Sequence, residues 1–283
     1  MATMIERLDD LTDRYEAIFC DVWGVLHNGV APFPPAVEAL RRARSRGLAV
    51  VLITNAPRPR DGVREQLDII GVAEDCWDEI VTSGDVTRGL IRAGSRRVFH
   101  IGPDRDLMLY DGLDVDLVEE FEAQTVVCTG LFDDETETPE DYDEMLRRLR
   151  ARNLPMICAN PDIVVERGDR LIWCAGALAR DYAQLGGRTE IAGKPHRPIY
   201  AAALAAAGRL AGREIGKAQV LAIGDGALTD VKGAVDNGID VLFVSAGIHA
   251  GEYGHPDRPD PARLADFLAR HGYAPAGVTP RLR

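Results

Sequence analysis

The sequence predicts an α/β protein with a Rossmann-like parallel-sheet core and an inserted second α/β domain. Short apolar runs typical of buried strands alternate with segments of helical spacing. This alternation occurs near the N-terminus and returns near the C-terminus, with a separate alternation between them. The chain has 283 residues, which is more than one compact core usually requires.

The N-terminal part of the core predicts the order strand, helix, strand, helix, in segments 17–20, 34–46, 48–53 and 63–70. Pro34 and Pro35 can begin the first helix, and Gly47 can end it. The two strands end at Asp21 and Thr54. Short connections of this kind predict parallel pairing with right-handed crossovers.

The C-terminal part predicts two more strands for the same sheet, at 220–223 and 241–244, with helices at 199–210 and 228–237. Ligands of open parallel sheets bind beyond the carboxyl ends of the strands. We therefore expect Asp21, Thr54 and Asp225 to converge at one sheet edge. The Pro-rich tail after Ala274 is expected to fray.

The middle of the chain predicts the inserted domain, with helices at 85–92 and 139–152 and strands at 98–101, 126–128 and 155–158. We place the core at residues 1–83 and 188–283 and the inserted domain at 84–187. The acidic stretch 133–137 predicts a solvated loop before a helix whose N-terminus favours negative charge.

Charge and composition restrict the partners and the compartment. A formal net charge of −12 disfavours nucleic acid and anionic membrane surfaces. No apolar run approaches the roughly 18 residues of a membrane span. An anionic substrate would need a metal or basic side chains at its site, because the global field opposes it. The five scattered cysteines are expected to be buried thiols in a reducing compartment, and we expect a cytoplasmic protein.

Asp21, Asp225 and Asp230 form a candidate metal site. Each follows or flanks a turn at a predicted strand end. Carboxylates about 4 Å apart repel by about 4 kcal/mol at an effective dielectric near 20, so a cation between them is expected. Mg²⁺, which prefers oxygen ligands, fits best. The alternative for Asp225 and Asp230 alone is that they cap the helix beginning near Ala227.

Four segments, taken in order, resemble the motifs of the haloacid dehalogenase superfamily. They are Asp21-Val22-Trp23-Gly24-Val25, Thr54-Asn55, Lys194-Pro195 and Gly224-Asp225-Gly226-Ala227-Leu228-Thr229-Asp230. The long insertion between the second and third motifs is similar to the large cap domain of the class IIA subgroup, which includes phosphoglycolate, pyridoxal phosphate and nucleotide phosphatases. Further segments that look like this subgroup are Leu26-His27-Asn28-Gly29, Asn160-Pro161-Asp162 and Gly193-Lys194-Pro195.

The resemblance implies a Mg²⁺-dependent phosphatase of a small phosphorylated metabolite. Asp21 would attack phosphorus and form an aspartyl-phosphate. Thr54, the backbone N–H of Asn55 and Lys194 would hold the transferring phosphoryl group. Mg²⁺ would be held by Asp21, the backbone carbonyl of Trp23 and Asp225. From a second shell, Asp230 would orient Lys194 or the metal waters.

Trp23 departs from the phosphatase pattern, in which this position is a second aspartate that acts as general acid and base. Loss of a general acid typically costs about 10² to 10⁴ in rate. Activity would then be slow, restricted to good leaving groups, or absent. His27 is a conceivable replacement, and a structural or substrate-contacting role is the other interpretation. Trp23 itself is interpreted chiefly as a packing residue.

Two alternatives to the phosphatase follow from this departure. One is a carbon–halogen hydrolase, since an aromatic residue here is similar to the metal-independent dehalogenases; Asp225 and Asp230 argue against it. The other is a catalytically weak protein that binds a phosphorylated metabolite.

Softer assignments concern Arg58 and two segments of the inserted domain. Arg58 is a candidate for binding an anionic substrate, with surface solvation as the alternative. The segment 160–162 is interpreted as a turn that positions the cap. The segment 174–177 either lines the cap or packs tightly. Caps of this kind can supply dimer contacts, so a homodimer is possible.

Overall fold

The computed structural model describes residues 3–167 and 170–283. The strands of the described chain, in order, are β1 (Ala17–Cys20), β2 (Ala49–Thr54), β3 (Glu79–Thr82), β4 (Arg97–Ile101), β5 (Asp116–Leu117), β6 (Thr125–Cys128), β7 (Met156–Cys158), β8 (Val164–Arg167), β9 (Arg170–Trp173), β10 (Thr189–Ile191), β11 (Val220–Gly224), β12 (Asp240–Val244), β13 (Gly254–His255), β14 (Arg258–Pro259) and β15 (Gly277–Thr279).

The α-helices of the described residues, in order, are α1 (Asp9–Thr12), α2 (Pro34–Ser45), α3 (Arg60–Ile70), α4 (Ser83–Ala93), α5 (Asp143–Ala151), α6 (Ala175–Gln184), α7 (Arg197–Ala211), α8 (Lys232–Asp236), α9 (Ala250–Tyr253) and α10 (Pro261–His271). Pro34 and Pro35 begin α2 at positions where a missing N–H costs no hydrogen bond. None of the helices in the described ranges combines the length and the apolar character that crossing a membrane requires.

Two compact units make up the chain. The first contains the described residues of Met1–Thr54, Arg64–Val81 and Tyr200–Arg283, and the second those of Asn55–Val63 and Thr82–Ile199. A compact unit and a functional domain are different divisions, so the domain limits given above stay a prediction.

The first unit contains a six-stranded sheet in the order β15-β12-β11-β1-β2-β3. Strand β1 is central and pairs in parallel with β11 and β2, where Ala17 lies opposite Val220 and Ala49. All four residues of β1 and all five of β11 are buried. Strands buried on both faces are continuous apolar runs, which is why the sequence predicted them.

The C-terminal tail is ordered, so the prediction that it frays was wrong. Strand β15 pairs in parallel with β12, and Val278 lies opposite Phe243 with no exposed surface. The N–H of Ile5 donates to the carbonyl of Val278 at 2.8 Å. Burial of Val278 and of Leu282, which is 2% exposed, offsets the entropy of ordering the tail.

The segment after β11 also differs from the prediction of one continuous helix over 228–237. A π-helical turn spans Ala227–Val231, and α8 follows it. The carbonyl of Gly226 accepts from the N–H groups of both Asp230 and Val231, at 2.9 and 3.0 Å. Such widened turns are rare and are frequent at functional sites.

The second unit contains a parallel five-stranded sheet in the order β10-β7-β6-β4-β5. Its larger core cluster joins β6 and β7 to α5 and α6, with Tyr142, Leu146 and Tyr182 at most 2% exposed. Two parallel-sheet units confirm the predicted α/β fold class with its Rossmann-like core.

Two smaller predictions concern the cysteines and the acidic stretch. All five cysteines are buried thiols that form no disulfide, as expected. The stretch 133–137 is a loop, as predicted, but it is not fully solvated. The side chain of Asp134 is 8% exposed because the guanidinium groups of Arg105 and Arg167 cover it, the latter at 3.0 Å.

Candidate active site

Three aspartates of the first unit bring their carboxylates together beyond the strand ends. Asp21 follows β1, Asp225 follows β11, and Asp230 lies in the π-helical turn after β11. One carboxylate oxygen from each lies within 4.8 Å of the other two. The residues are buried, with exposed fractions of 7%, 8% and 4%. The structure thus brings together the three aspartates selected from the sequence.

Glycines enclose two of these carboxylates. A Cβ built on Gly24 would lie 2.2 Å from Oδ2 of Asp225, and one built on Gly247 would lie 1.8 Å from the same oxygen. A Cβ on Gly224 would lie 2.2 Å from Cγ of Asp230. No real Cβ approaches so closely, so only glycine fits at these positions. Gly24 also has a φ of +75°, which favours glycine.

Backbone N–H groups hold the enclosed carboxylates in place. Oδ2 of Asp225 accepts from the N–H of Ile248 at 3.0 Å. Oδ2 of Asp230 accepts from the N–H of Gly226 at 3.0 Å. Hydrogen bonds from N–H groups to carboxylates are charge-assisted and orient the remaining oxygens. Both side chains are therefore positioned before any ligand arrives.

Residues 247–249 were missed by the sequence reasoning. They follow β12, the neighbour of β11, so their place beyond a parallel strand end was the available signal. Nε2 of His249 accepts from the N–H of Ala227 at 3.2 Å. The imidazole packs at 5.1 Å from the ring of Phe267, and burial lowers the pKa of His249. This loop supports both Asp225 and the turn that carries Asp230.

The aspartate cluster fits a hard divalent cation. Three carboxylates within 4.8 Å repel one another by about 3 to 4 kcal/mol for each pair at an effective dielectric near 20. Their burial reduces screening by water. Mg²⁺ takes carboxylate oxygens and keeps several waters. Asp21 and Asp225 would supply such oxygens, and glycines leave no side chain to compete for the space.

The loop after Asp21 is built around the indole of Trp23. The N–H of Gly24 donates to the carbonyl of His27 at 2.9 Å, which closes the loop. The rings of Trp23 and His27 pack edge to face at 5.1 Å. A Cβ on Gly29 would lie 2.6 Å from Cη2 of Trp23, and Gly29 has a φ of +86°. The half-buried indole is thus held by its own loop.

His27 is a buried residue of this loop and stabilises it through a hydrogen bond. It is 1% exposed, and its Nδ1 accepts from the N–H of Gly29 at 2.8 Å. Burial lowers the pKa of His27 to about 4, so the ring is neutral at physiological pH. These observations favour the structural interpretation of His27 over a role as proton donor.

The remaining motif residues lie at the end of β2 and in the second unit. Thr54 ends β2 and is 3% exposed. In the second unit, the amide of Asn55 joins two segments. Its Oδ1 accepts from the N–H of Lys194 at 2.7 Å, and its Nδ2 donates to the carbonyl of Lys194 at 3.2 Å and to Oδ1 of Asp162 at 2.8 Å. Lys194 is 2% exposed.

The turn at 160–162 packs against two glycines of the second unit. A Cβ on Gly176 would lie 2.2 Å from the carbonyl oxygen of Pro161, and one on Gly193 would lie 2.7 Å from Cδ of Pro161. The N–H of Gly176 donates to the carbonyl of Asp162 at 3.1 Å. Tight packing, one of the two interpretations of segment 174–177, is therefore observed at Gly176.

Arg58 also lies in the second unit, near a buried carboxyl. Burial raises the pKa of Asp106, and the guanidinium of Arg58 acts in the opposite direction. The backbone of Arg58 is tightly packed, since a Cβ on Gly84 would lie 2.4 Å from its carbonyl carbon. The backbone of Arg58 is therefore fixed by packing, and its guanidinium interacts electrostatically with the carboxyl group of Asp106 in the same unit.

The structure combines a parallel α/β core, which buries an aspartate cluster beyond its strand ends, with a second α/β unit. Two family descriptions match the chain: haloacid dehalogenase-like hydrolase over residues 18–116, and HAD-hydrolase-like over residues 191–270. The chain belongs to the haloacid dehalogenase-like hydrolase family, and it is a hydrolase. The predicted resemblance is confirmed.

Relatives agree with this membership. A crystal structure of a haloacid dehalogenase-like hydrolase from Brucella suis 1330 is 61% identical, with a TM-score of 0.89 over 99% of this chain and 100% of that one. A possible sugar phosphatase from Cytophaga hutchinsonii shares the fold at 21% identity, with a TM-score of 0.80 over 98% and 97%. The mouse haloacid dehalogenase-like hydrolase domain-containing protein 2 is 27% identical over 82% of this chain and 85% of its own length.

Proposed function

We propose that this protein is a Mg²⁺-dependent phosphatase of small phosphorylated metabolites that acts through an aspartyl-phosphate on Asp21. The observation that carries the proposal is the buried cluster of three carboxylates within 4.8 Å at the sheet edge. Proteins of the same fold bear phosphatase names, among them the possible sugar phosphatase from Cytophaga hutchinsonii.

The residues of the chain divide the work as follows. A carboxylate oxygen of Asp21 attacks phosphorus, which splits hydrolysis into two displacements. The hydroxyl of Thr54 and the N–H of Asn55 hold phosphoryl oxygens, and Lys194 and Arg58 neutralise negative charge of the substrate. Asn55 positions Lys194, because its amide binds both backbone groups of that residue.

Asp21, Asp225 and the carbonyl of Trp23 would hold the divalent cation. When bound, the cation would neutralise the carboxylates and polarise the phosphoryl oxygens. Asp230 keeps its carboxylate oriented through the N–H of Gly226 and acts from the second coordination shell.

The carbon–halogen hydrolase is the weaker candidate. Its chemistry needs no cation, yet Gly24 and Gly247 leave space only for the carboxylate of Asp225. A glycine enclosure around a carboxylate is costly to build without a use for that charge, because buried charges are destabilising unless they are paired. The other candidate, a catalytically weak protein that binds a phosphorylated metabolite, is suggested by Trp23. Measuring turnover distinguishes it from an enzyme.

The test is a screen of phosphorylated metabolites with and without Mg²⁺, comparing wild type with Asp21→Asn. We expect Mg²⁺-dependent release of phosphate from at least one substrate, and a loss of at least about 10⁴-fold in Asp21→Asn. The melting temperature with and without Mg²⁺ gives a readout independent of turnover. Turnover that survives chelation would contradict the proposal, as would turnover that survives Asp21→Asn. A weak binding protein would show the thermal shift without turnover.

A further inference from the structure

The loop that follows the nucleophile carries no acidic side chain. Residues 22–33 contain one titratable group, His27, and the position two residues after Asp21 is Trp23. Contacts with Gly29 and with the ring of His27 hold the indole of Trp23 in place. At the position two residues after the nucleophile, the side chain is therefore an indole, which donates no acidic proton.

His27 is not placed to deliver a proton to a leaving group. Its Nδ1 accepts the N–H of Gly29 at 2.8 Å, so this nitrogen carries no proton. Its side chain is 1% exposed, and its ring packs edge to face against the indole of Trp23. Donation of the Nε2 proton would leave an imidazolate, which is not an accessible species at neutral pH.

The loops after β11 and after β12, the next strand of the sheet, also commit their titratable groups elsewhere. After β11, Asp225 and Asp230 accept backbone N–H groups and face Asp21. After β12, Nε2 of His249 accepts the N–H of Ala227, and its Nδ1 lies 3.6 Å from a carboxylate oxygen of Glu252. In the described part of the first unit, these loops offer no acid for the leaving oxygen.

We propose that Trp23 makes this enzyme specific for phosphates whose leaving oxygen departs as a stabilised anion, namely aryl, enol and acyl phosphates. This inference rests on the proposed phosphatase function and narrows its substrate class. Alkyl phosphates, such as those of sugars and glycerol, need a proton on the departing alkoxide and are poor substrates.

The chemistry balances without a general acid. An oxygen of Asp21 forms a bond to phosphorus, the bond from phosphorus to the leaving oxygen breaks, and that oxygen takes the electron pair and departs as a carboxylate, enolate or phenolate. Water then attacks the aspartyl-phosphate, the carboxylate of Asp21 leaves with its electron pair, and the proton of the water passes to solvent. In the second displacement the leaving group is the carboxylate of Asp21, which departs without needing a proton.

Two consequences follow for the rates. The rate of the first displacement depends steeply on the basicity of the leaving group, because no donor compensates for it. The second displacement is the same for every substrate and lacks a general base, so it sets a common upper limit on kcat. With good leaving groups, a burst of about one leaving group per active site should precede the steady state.

The experiment measures kcat/KM at saturating Mg²⁺ for a series of aryl phosphates of increasing phenol basicity, for acetyl phosphate and for glycerol phosphate. For wild type we expect a steep fall along the series and glycerol phosphate at least about 100-fold below the best aryl phosphate. Trp23→Asp should raise the rate on glycerol phosphate by about 10² to 10⁴ and change acetyl phosphate only a few-fold. Trp23→Phe, which also lacks a proton donor, should keep the steep fall.

A shallow dependence in wild type would overturn the inference, because it would mean that a proton donor assists departure of the leaving group. This result needs no variant, so it holds even if Trp23→Asp folds poorly. A steep dependence that Trp23→Asp leaves unchanged, with a melting temperature near that of wild type, would also overturn it. Absence of any Asp21-dependent turnover across the series would instead refute the proposed function itself.

Discussion

Two loops at the same sheet edge of the first unit differ in what surrounds them. The segment after β11 places Asp225 and Asp230 in contact with glycines and backbone N–H groups. The segment after β1 closes over an indole and a buried imidazole. The first loop provides negative charge for a cation, and the second provides an apolar surface. The comparison teaches that, in the proposed phosphatase, the loop after β11 would hold the cation, whereas the loop after β1 offers no side chain that could protonate a leaving group.

The largest expected effect comes from filling the glycine enclosure. Gly247→Ala would place a Cβ 1.8 Å from Oδ2 of Asp225 and displace that carboxylate. We expect the Mg²⁺ concentration that half-saturates the thermal shift to rise at least about 10- to 100-fold. Gly251→Ala is the matched control, because a Cβ there meets no atom within 4 Å. Equal shifts in the two variants would show that the enclosure does not shape a metal site.

A second prediction concerns the apolar loop and pH. Burial lowers the pKa of His27 to about 4, below its ordinary value of about 6.5. Between these two pH values, His27 is therefore protonated in the unfolded chain but not in the folded protein. The contribution of His27 to stability is fully present above about pH 6.5 and is lost as the pH falls toward about 4, amounting to about 2 kcal/mol between pH 7.5 and about pH 5.

Urea unfolding of wild type and His27→Asn at these two pH values measures this contribution. The variant should lose about that much of the pH dependence. An unchanged dependence in His27→Asn would mean that the folded protein protonates His27 as readily as the unfolded chain does, which would weaken the contrast between the loops.

The smallest expected effect tests the packing of the indole. Gly29→Ala adds a Cβ 2.6 Å from Trp23 at a φ of +86°. Gly71→Ala is the control, since its φ is +89° and its Cβ meets nothing within 4 Å. We expect Gly29→Ala to lower the free energy of unfolding by about 1 kcal/mol more than the control does. In a Trp23→Ala background this excess should vanish; if it persists, the ring is not what occupies the space.

The sequence allowed the strand ends of the core to be predicted because its central strands are buried on both faces. Such strands are short apolar runs, so Asp21 and Asp225 stand out as the first charged residues after them. Four ordered motifs then led to the family. The fold class and the aspartates of the candidate site were therefore accessible from local pattern and spacing.

Other features depend on tertiary neighbours that no local pattern reveals. Residues 247–249 matter because β12 lies beside β11, which places their backbone against Asp225. The tail became β15 because Val278 is buried against the sheet, although the surrounding Pro and Gly residues favour disorder. The π-helical turn depends on two hydrogen bonds to one carbonyl, that of Gly226, which helical periodicity does not indicate.

The most direct measurement of the central claim is to trap the phosphoryl group on the protein. Wild type is mixed with acetyl phosphate and Mg²⁺, quenched in acid and digested, and the peptide containing Asp21 is examined by mass spectrometry. We predict one phosphoryl adduct on Asp21 that disappears with chelator and in Asp21→Asn. Rapid turnover of acetyl phosphate in which quenching over the whole time course yields no adduct, or an adduct on a different residue, would contradict Asp21 as the covalent nucleophile.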